Sequence, residues 1–300
     1  MNKTHLSSII LSLMLFLTVT PLHGFVLEEG LDNNTPDDPT DDLQGAPLWS
    51  DVNGSLRKDG KRGLGGGIEW SVESNFCEKI RPHFRDKSLD CGDFRNAIRF
   101  SLTRWGIDHP HIYFKNVSDR IDAQLPPENS SKKWKGYGAE FDIMARSPEQ
   151  YEKVSGNGAY TTFWYRYSDP IGTNGEKVNG STLTAANLVF NTDACYYLYD
   201  RNETDECNDF RALVMHEAGH AFALDHPHEN PGRNFDNNTN PEDAIKIDCG
   251  DYKPGLILSK NFDSRAIMAS TSIKQLMGRR RLRQDDYNAR NVLYPRCNKR

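Results

Sequence analysis

One short stretch of the sequence, residues 216–226, reads HEAGHAFALDH and governs the fold around it. His216 and His220 are four residues apart, so on an α-helix both imidazoles lie on one face and can point at one ion. Neutral imidazole suits zinc, with a metal–nitrogen distance of about 2.0–2.1 Å. Glu217 follows the first histidine, so its carboxylate reaches beside such an ion without binding it. These residues predict a metal-binding helix with a general base next to the metal.

The third ligand must come from beyond the helix, because a helix cannot easily present another residue to the same ion. Pro227 prevents the helix from continuing, and a turn at Asp225 can bring His226 back to complete a site of three histidines. His228 is the alternative third ligand, although Pro227 separates it from the helix. A helix with two polar faces and no metal is the alternative to the whole site. We expect one catalytic Zn²⁺ ion on the two helix histidines and His226.

Residues 1–24 have the features of a secretory signal peptide. Lys3 supplies a positive charge, residues 9–19 form an apolar run, Pro21 ends it, and Gly24 suits a cleavage point. The run is too short to span a bilayer comfortably, so a signal anchor is the weaker alternative. No later segment predicts a membrane span. We therefore expect a secreted, extracellular protein.

Cysteines and glycosylation motifs agree with export. The six cysteines form an even set suited to disulfides, although sequence alone does not determine their pairing. Proximity suggests three pairs, which are Cys77–Cys91, Cys195–Cys207 and Cys249–Cys297. Asn-x-Ser/Thr motifs, typical of a glycoprotein but also produced by chance, occur at Asn33, Asn53, Asn116, Asn129, Asn179, Asn202 and Asn237.

Residues 25–66 are predicted to be an acidic pro-segment or linker, because they are rich in Asp, Asn, Pro and Gly and lack hydrophobic periodicity. The dibasic pair Lys61-Arg62 could be a processing site or a plain charge pair in a linker. In a zymogen one aspartate of the segment could occupy the metal, and a glycosylated spacer is the alternative. The candidate aspartates are Asp32, Asp37, Asp38, Asp41 and Asp42. The folded domain, residues 67–300, should begin near Ile68.

Hydrophobic periodicity predicts strands with helices between them. The predicted strands lie at Ile68–Val72, His111–Val117, Phe141–Met144, Thr161–Tyr167 and, around residues 188–190, within Leu183–Tyr199. The predicted helices lie at Asp93–Trp105, Asp209–Ala223 and Gln284–Leu293, with a long polar loop over residues 227–265. This order indicates an α+β or mixed α/β fold. The net charge of −5 gives no reason to expect a nucleic-acid partner, and we expect a monomer.

The spacing of the histidines resembles the metzincin pattern H-E-x-x-H-x-x-G-x-x-H, which is followed by a methionine turn. Residues 267–270 resemble that turn, in which Met268 would form a hydrophobic floor under the histidines. Within the metzincins the chain is most similar to the matrixins, the matrix metalloproteinase group, through residues 97–105, Phe141–Met144 and 282–294. The resemblance spans residues 67–296. It implies a metzincin-type catalytic domain with a twisted sheet, a zinc-binding helix below it, the Met-turn and a C-terminal helix.

Several positions depart from the matrixin pattern. Ala223 stands where the family has the glycine that turns the chain out of the helix, and alanine costs about 1–2 kcal/mol if the backbone there is left-handed. Pro227 after the third histidine is more like the serralysin branch, whose glycine-rich calcium repeats this sequence lacks. No histidine lies between His111 and His216, so the ligands of the matrixin structural zinc have no counterparts. No cysteine precedes Cys77, so a cysteine switch is absent too.

The resemblance implies a secreted zinc-dependent endopeptidase that hydrolyses peptide bonds in extracellular proteins, including those of the extracellular matrix. An extended protein or peptide substrate would pair with an edge strand, which we expect at Leu183–Phe190. The loop Lys274–Arg283 would border the substrate pocket, so neutralising Arg279, Arg280 and Arg281 should change cleavage preference more than stability. A solvated basic loop is the alternative. The resemblance also allows Ca²⁺, without identifying its ligands. The alternative is a catalytically silent secreted zinc-binding protein of the same fold, which the intact Glu217 disfavours.

Overall fold

The computed structural model describes residues 26–27, 47–49, 64, 66–125, 138–168, 180–199, 207–229, 234–236, 257–259, 262–269 and 279–294. Within these ranges the strands are β1 Val26–Leu27, β2 Pro47–Trp49, β3 Ile68–Val72, β4 Phe114–Asn116, β5 Phe141–Arg146, β6 Ala159–Ser168, β7 Gly180–Asn191, β8 Tyr196–Tyr197, β9 Asn208–Asp209, β10 Leu224–Asp225, β11 Asn234–Asp236 and β12 Ile257–Ser259. The α-helices are α1 Phe76–Ile80, α2 Cys91–Gly106, α3 Phe210–His220 and α4 Gln284–Leu293. The protein is therefore a mixed α/β fold, as predicted.

The main sheet is mostly parallel. Its strand order is β2-β7-β5-β3-β4, and β6 also pairs with β7. All of these pairings are parallel except the one between β6 and β7, which is antiparallel. The same β7 residues pair with β6 and with either β5 or β2, so β6 occupies one side of β7 and the other two strands share the opposite side.

The expectation that Leu183–Phe190 forms the sheet edge is wrong. These residues belong to β7, which has partners on both sides, and every one of them is buried. A strand covered on both faces is a near-continuous apolar run, and such a run is typical of the interior of a parallel sheet. The edge next to β7 is β6, whose other side pairs with none of the described strands.

Helices α2 and α3 pack against each other in the main core. Asp90 begins α2 with a capping box, since its Oδ1 accepts hydrogen bonds from the backbone of Gly92 and Asp93 while Asp93 Oδ2 accepts one from the backbone of Asp90. Trp105 then donates from Nε1 to the carbonyl of Met215 on α3 at 2.9 Å. The predicted apolar face of α2 is buried, and it comprises Phe94, Ala97, Ile98, Leu102 and Trp105.

Ordered structure begins earlier than the predicted start near Ile68. Strand β2 joins the main sheet beside β7, and Trp49 is 3% exposed. Its Nε1 donates to the carbonyl of Ala221 at 2.8 Å. Strand β1 pairs with β10, which leads into His226. A strand of three residues leaves no periodic signal, so composition alone predicted an unstructured segment here. The dibasic pair and the acidic residues 32–42 lie outside the described residues.

Two of the suggested disulfides, Cys77–Cys91 and Cys195–Cys207, are confirmed. The third suggested pair and residues 1–24 lie outside the described residues. Asn116 is exposed, as a glycosylation motif requires. The predicted polar loop over residues 227–265 contains the antiparallel pair β11–β12. Among the described residues no helix has the length and apolarity needed to cross a membrane.

Candidate metal centre

Helix α3 carries three of the predicted site residues, and its N-terminus is firmly held. Asp209 caps the helix, since its Oδ1 accepts hydrogen bonds from the backbone N–H groups of Arg211 and Ala212 at 3.1 and 3.2 Å. The other oxygen of Asp209 is 2.7 Å from Nε of Arg280. The Asp209 side chain is fully buried, so this ion pair is shielded from solvent. The helix is thereby fixed in direction before it reaches the histidines.

The chain leaves α3 through a tight turn that returns it to the site. The N–H of Ala223 donates to the carbonyl of His220 at 2.9 Å, and Ala223 has a φ of 65°. Ala223 thus adopts the left-handed conformation that the family places on a glycine. Strand β10 follows at once and ends next to His226. The strained turn is what allows a residue outside the helix to face the two helix histidines.

The three histidines converge on one point. His226 Nε2 lies 2.9 Å from His216 Nε2 and 3.1 Å from His220 Nε2. Each Nδ1 has a separate acceptor, which is the carbonyl of Ile267 for His216, the carbonyl of Leu224 for His220 and the carboxylate of Glu229 for His226, at 2.9, 2.8 and 3.0 Å. Protons on the three Nδ1 atoms leave the three Nε2 lone pairs facing one another. The triad could hold a metal ion at that point.

Burial keeps the helix histidines neutral, which is the form that binds metals. Burial, followed by the neighbouring His226, lowers the pKa of His216 to about 3. Burial also lowers the pKa of His220 far below its usual value, with His216 and His226 as the next causes. The Nε2 atoms of the two helix histidines therefore carry no proton, and their lone pairs are available to a cation at the point where the rings meet.

His228, the alternative third ligand, does not join the triad. Its ring lies against that of His226, with the ring centres 5.2 Å apart. It belongs instead with His226 and Glu229 in a second group of close ligand atoms. The structure thus places His226, not His228, with the helix histidines.

Glu217 lies beside the triad and is 5% exposed. Burial raises the pKa of its carboxyl to about 7, while hydrogen bonding to Thr161 acts in the opposite direction. The hydroxyl of Thr161 is 2.8 Å from Glu217 Oε2. A carboxylate with a pKa near neutrality can both accept and release a proton. Sequence reasoning missed Thr161, because nothing in a strand pattern shows which helix residue a threonine will face.

Met268 packs against helix α3 at Gly219. A Cβ on Gly219 would overlap Met268 Sδ and lie 3.0 Å from Trp105 Cζ2. The helix and the methionine can therefore meet only because residue 219 has no side chain. The adjacent Ile267 supplies the carbonyl that holds His216. Met268 is therefore packed against α3 within a buried segment, and its role as a floor under a zinc site stays a prediction.

Asp286 on α4 holds the methionine turn, a role that the sequence did not reveal. Its Oδ2 accepts hydrogen bonds from the N–H groups of Ile267 and Arg283 at 3.0 and 2.7 Å, and its Oδ1 accepts one from Met268 at 3.2 Å. The only signal was its place in the first turn of a helix, which predicted a favourable helix dipole. Burial raises its pKa to about 7 although three N–H donors lower it.

Two arginines near the end of the loop Lys274–Arg283 have a structural role. Arg280 forms the buried ion pair with Asp209, and Arg279 donates to the carbonyl of Ala266 at 2.8 Å. Removing one member of a buried pair is strongly destabilising. Neutralising Arg280 should therefore cost stability as well, and the expected change in cleavage preference stays a prediction. Residues 274–278 lie outside the described part of the chain, so the pocket wall stays a prediction.

No protein-family model matches this chain, and no curated protein matches it either. The convergence of three histidine nitrogens, with a buried carboxylate beside them, therefore carries the functional conclusion on its own.

Proposed function

We propose that this chain is a secreted zinc-dependent endopeptidase that hydrolyses peptide bonds in extracellular proteins. The observation that carries the proposal is the convergence of the three Nε2 atoms 2.9 and 3.1 Å apart. Ligands at about 2.0–2.1 Å in tetrahedral arrangement lie about 3.3 Å from one another. A small outward shift of the rings would fit zinc, and three protein ligands leave the fourth position that catalytic zinc sites keep for water.

The residues around the triad suit hydrolysis. Zinc, when bound, supplies a Lewis acid that polarises the scissile carbonyl and makes water acidic. Glu217 then accepts a proton from the attacking water and delivers it to the leaving amine. Its buried position and its pKa of about 7 suit both transfers at neutral pH. His216, His220 and His226 are held through their Nδ1 atoms, which keeps the ligand nitrogens oriented.

The edge strand favours an extended peptide as the substrate. Strand β6 pairs with β7 on one side only, among the strands that the structure describes. An extended peptide can add to such an edge by backbone hydrogen bonding. Thr161 on β6 touches Glu217, so a peptide paired with β6 would run past the base.

The same features support membership of the metzincins, with the domain at residues 67–300. They are the His-Glu-x-x-His helix, the left-handed turn at Ala223, and Met268 under the helix. Two disulfides suit an oxidising compartment, in keeping with secretion. Removal of residues 25–66 as an inhibitory pro-segment stays a prediction.

The test uses the full chain made in a secretory host. Zinc content is measured by mass spectrometry, and hydrolysis of a denatured protein substrate is followed with and without a zinc chelator. Both assays are repeated after cleavage by a protease specific for dibasic sites, because an uncut chain could be latent. We expect chelator-sensitive hydrolysis. A zinc-free chain, or a cut chain without activity, contradicts the proposal.

Two variants separate metal binding from catalysis. Glu217→Gln should keep zinc and lose activity by about 10²-fold or more, the range for a lost general base. His226→Ala should lose zinc, whereas His83→Ala, a control histidine outside the triad, should lose neither. Full activity in Glu217→Gln would rule out the proposed mechanism.

A further inference from the structure

Thr161 lies on β6 with its side chain directed toward α3. It is the third residue of the strand, it pairs with Leu188 of β7, and it is 8% exposed. Side chains alternate between the two faces of a strand. Accordingly the next residue, Thr162, shares a hydrogen bond with Tyr151, in the smaller hydrophobic cluster. The two threonines thus place matching hydroxyl groups on opposite faces of one strand.

The hydroxyl of Thr161 has two acceptors, and both belong to Glu217. Oγ1 is 2.8 Å from Oε2 and 2.9 Å from the backbone carbonyl of the same residue. A hydroxyl carries one proton, so it donates to one of these oxygens at a time. The backbone of Thr161 also hydrogen-bonds to the carboxylate. Thr161 therefore holds the base through both its side chain and its backbone, and its hydroxyl is bonded to Oε2.

Holding Oε2 matters because a glutamate side chain has three rotatable bonds. A general base must lie within about 2.6–3.2 Å of the proton that it accepts. A buried carboxylate without a donor is also costly, and it lowers that cost by turning toward water. Donors on a strand that β7 supports along its length restrict that rotation.

We propose that Thr161 is a positioning residue whose hydroxyl holds one carboxylate oxygen of Glu217 so that the other faces the attacking water. The inference rests on the proposed peptidase function. The hydrogen bond also connects Glu217 to β6, the strand along which an extended substrate would lie.

The test compares three variants of the full chain with the wild type. Thr161→Val keeps the β-branched shape and removes the hydroxyl, Thr161→Ser keeps the hydroxyl, and Thr162→Val removes the neighbouring hydroxyl on the other face. A hydrogen bond to a charged group corresponds to a change of about 10- to 100-fold. We expect Thr161→Val to lower kcat by that factor with little change in KM, because a contact made only through the base does not alter substrate binding.

The remaining readouts exclude a merely structural effect. Zinc content and thermal unfolding should be unchanged in Thr161→Val, and Thr161→Ser and Thr162→Val should keep kcat within about threefold. A hydroxamate inhibitor donates a hydrogen bond to the base, whereas a simple thiol does not. Thr161→Val should therefore weaken hydroxamate binding more than thiol binding.

The outcomes of these measurements distinguish failure of the inference from failure of the proposed function. Wild-type kcat in Thr161→Val overturns the inference, and so does a loss in Thr161→Ser as large as in Thr161→Val. If Thr161→Val fails to fold, Thr161→Ser decides alone, since a loss above about tenfold there contradicts a role for the hydroxyl. An active Glu217→Gln variant overturns the proposed function itself. An inactive Glu217→Gln with a fully active Thr161→Val overturns only the inference.

Discussion

At Gly219 helix α3 closely approaches Met268 and Trp105. A Cβ there would overlap Met268 Sδ and would lie 3.1 Å from Met268 Cε and 3.0 Å from Trp105 Cζ2. Non-bonded heavy atoms ordinarily rest about 3.5–4.0 Å apart. Gly219→Ala must therefore displace the side chain of Met268. The indole of Trp105 obstructs a shift of the added methyl group away from Met268. Trp105 is itself fixed by its hydrogen bond to the carbonyl of Met215.

Whether Gly219→Ala raises or lowers the free energy of unfolding distinguishes this close contact from an ordinary helix position. In a helix interior without such a contact, alanine is more stable than glycine by about 0.8–1.0 kcal/mol. Overpacking a closely packed core costs about 1–3 kcal/mol. We expect the second effect to prevail, with a net fall of up to about 2 kcal/mol in the free energy of unfolding. A domain of this size loses about 2–4 °C in Tm per kcal/mol.

The assay is thermal and denaturant unfolding of Gly219→Ala, Met268→Ala and the double variant, all loaded with metal. Met268→Ala should lose about 2–5 kcal/mol through the cavity that it leaves. The added methyl group at residue 219 then meets no sulfur, so the double variant should be no less stable than Met268→Ala. A rise in Tm for Gly219→Ala, of the size seen at ordinary helix positions, would refute the close approach.

Two further predictions concern the turn after α3 and a buried carboxyl. Ala223→Gly should raise the free energy of unfolding by about 1 kcal/mol in denaturant titration, because the φ of 65° at Ala223 is strained for alanine but not for glycine; a loss of stability would contradict this. Burial raises the pKa of Asp142 to about 7, above the value of about 3.9 in an unfolded chain. The folded state therefore binds a proton that the unfolded state releases, so the contribution of this group to stability falls as pH rises from about 4 to 7. Asp142→Asn should gain about 2–4 kcal/mol relative to the wild type over that window, and a constant difference would contradict the assignment.

The metal triad was predictable because its geometry is local. The four-residue spacing on a helix sets the relation between His216 and His220, whatever the rest of the chain does. His226 follows after a single turn, and Pro227 indicates that the helix ends before it. Each of these inferences depends only on residues that are close together in the sequence.

Long-range pairing was not predictable in the same way. The interior position of Leu183–Phe190 depends on which strands flank it, and a run of apolar residues suits several sheet orders. Thr161 faces Glu217 across 56 residues of sequence, and Arg280 faces Asp209 across 71. Neither pair leaves a periodic signal, since each joins one polar residue to another in a distant element. These contacts follow from the assembled fold and cannot be read from spacing.

The C-terminal helix shows how a correct local prediction can miss the function of a residue. The acidic first turn of α4 was predicted from the helix dipole, and Asp286 does lie there. Yet its carboxylate is buried and accepts three backbone hydrogen bonds, two of them from the methionine turn. One of those two donors is Ile267, whose carbonyl in turn accepts the Nδ1 proton of His216. A single peptide segment thus links a carboxylate at the start of one helix to a candidate metal ligand on another. The carboxylate fixes the turn, the turn fixes the imidazole, and the orientation of His216 therefore depends on a residue 70 positions further along the chain.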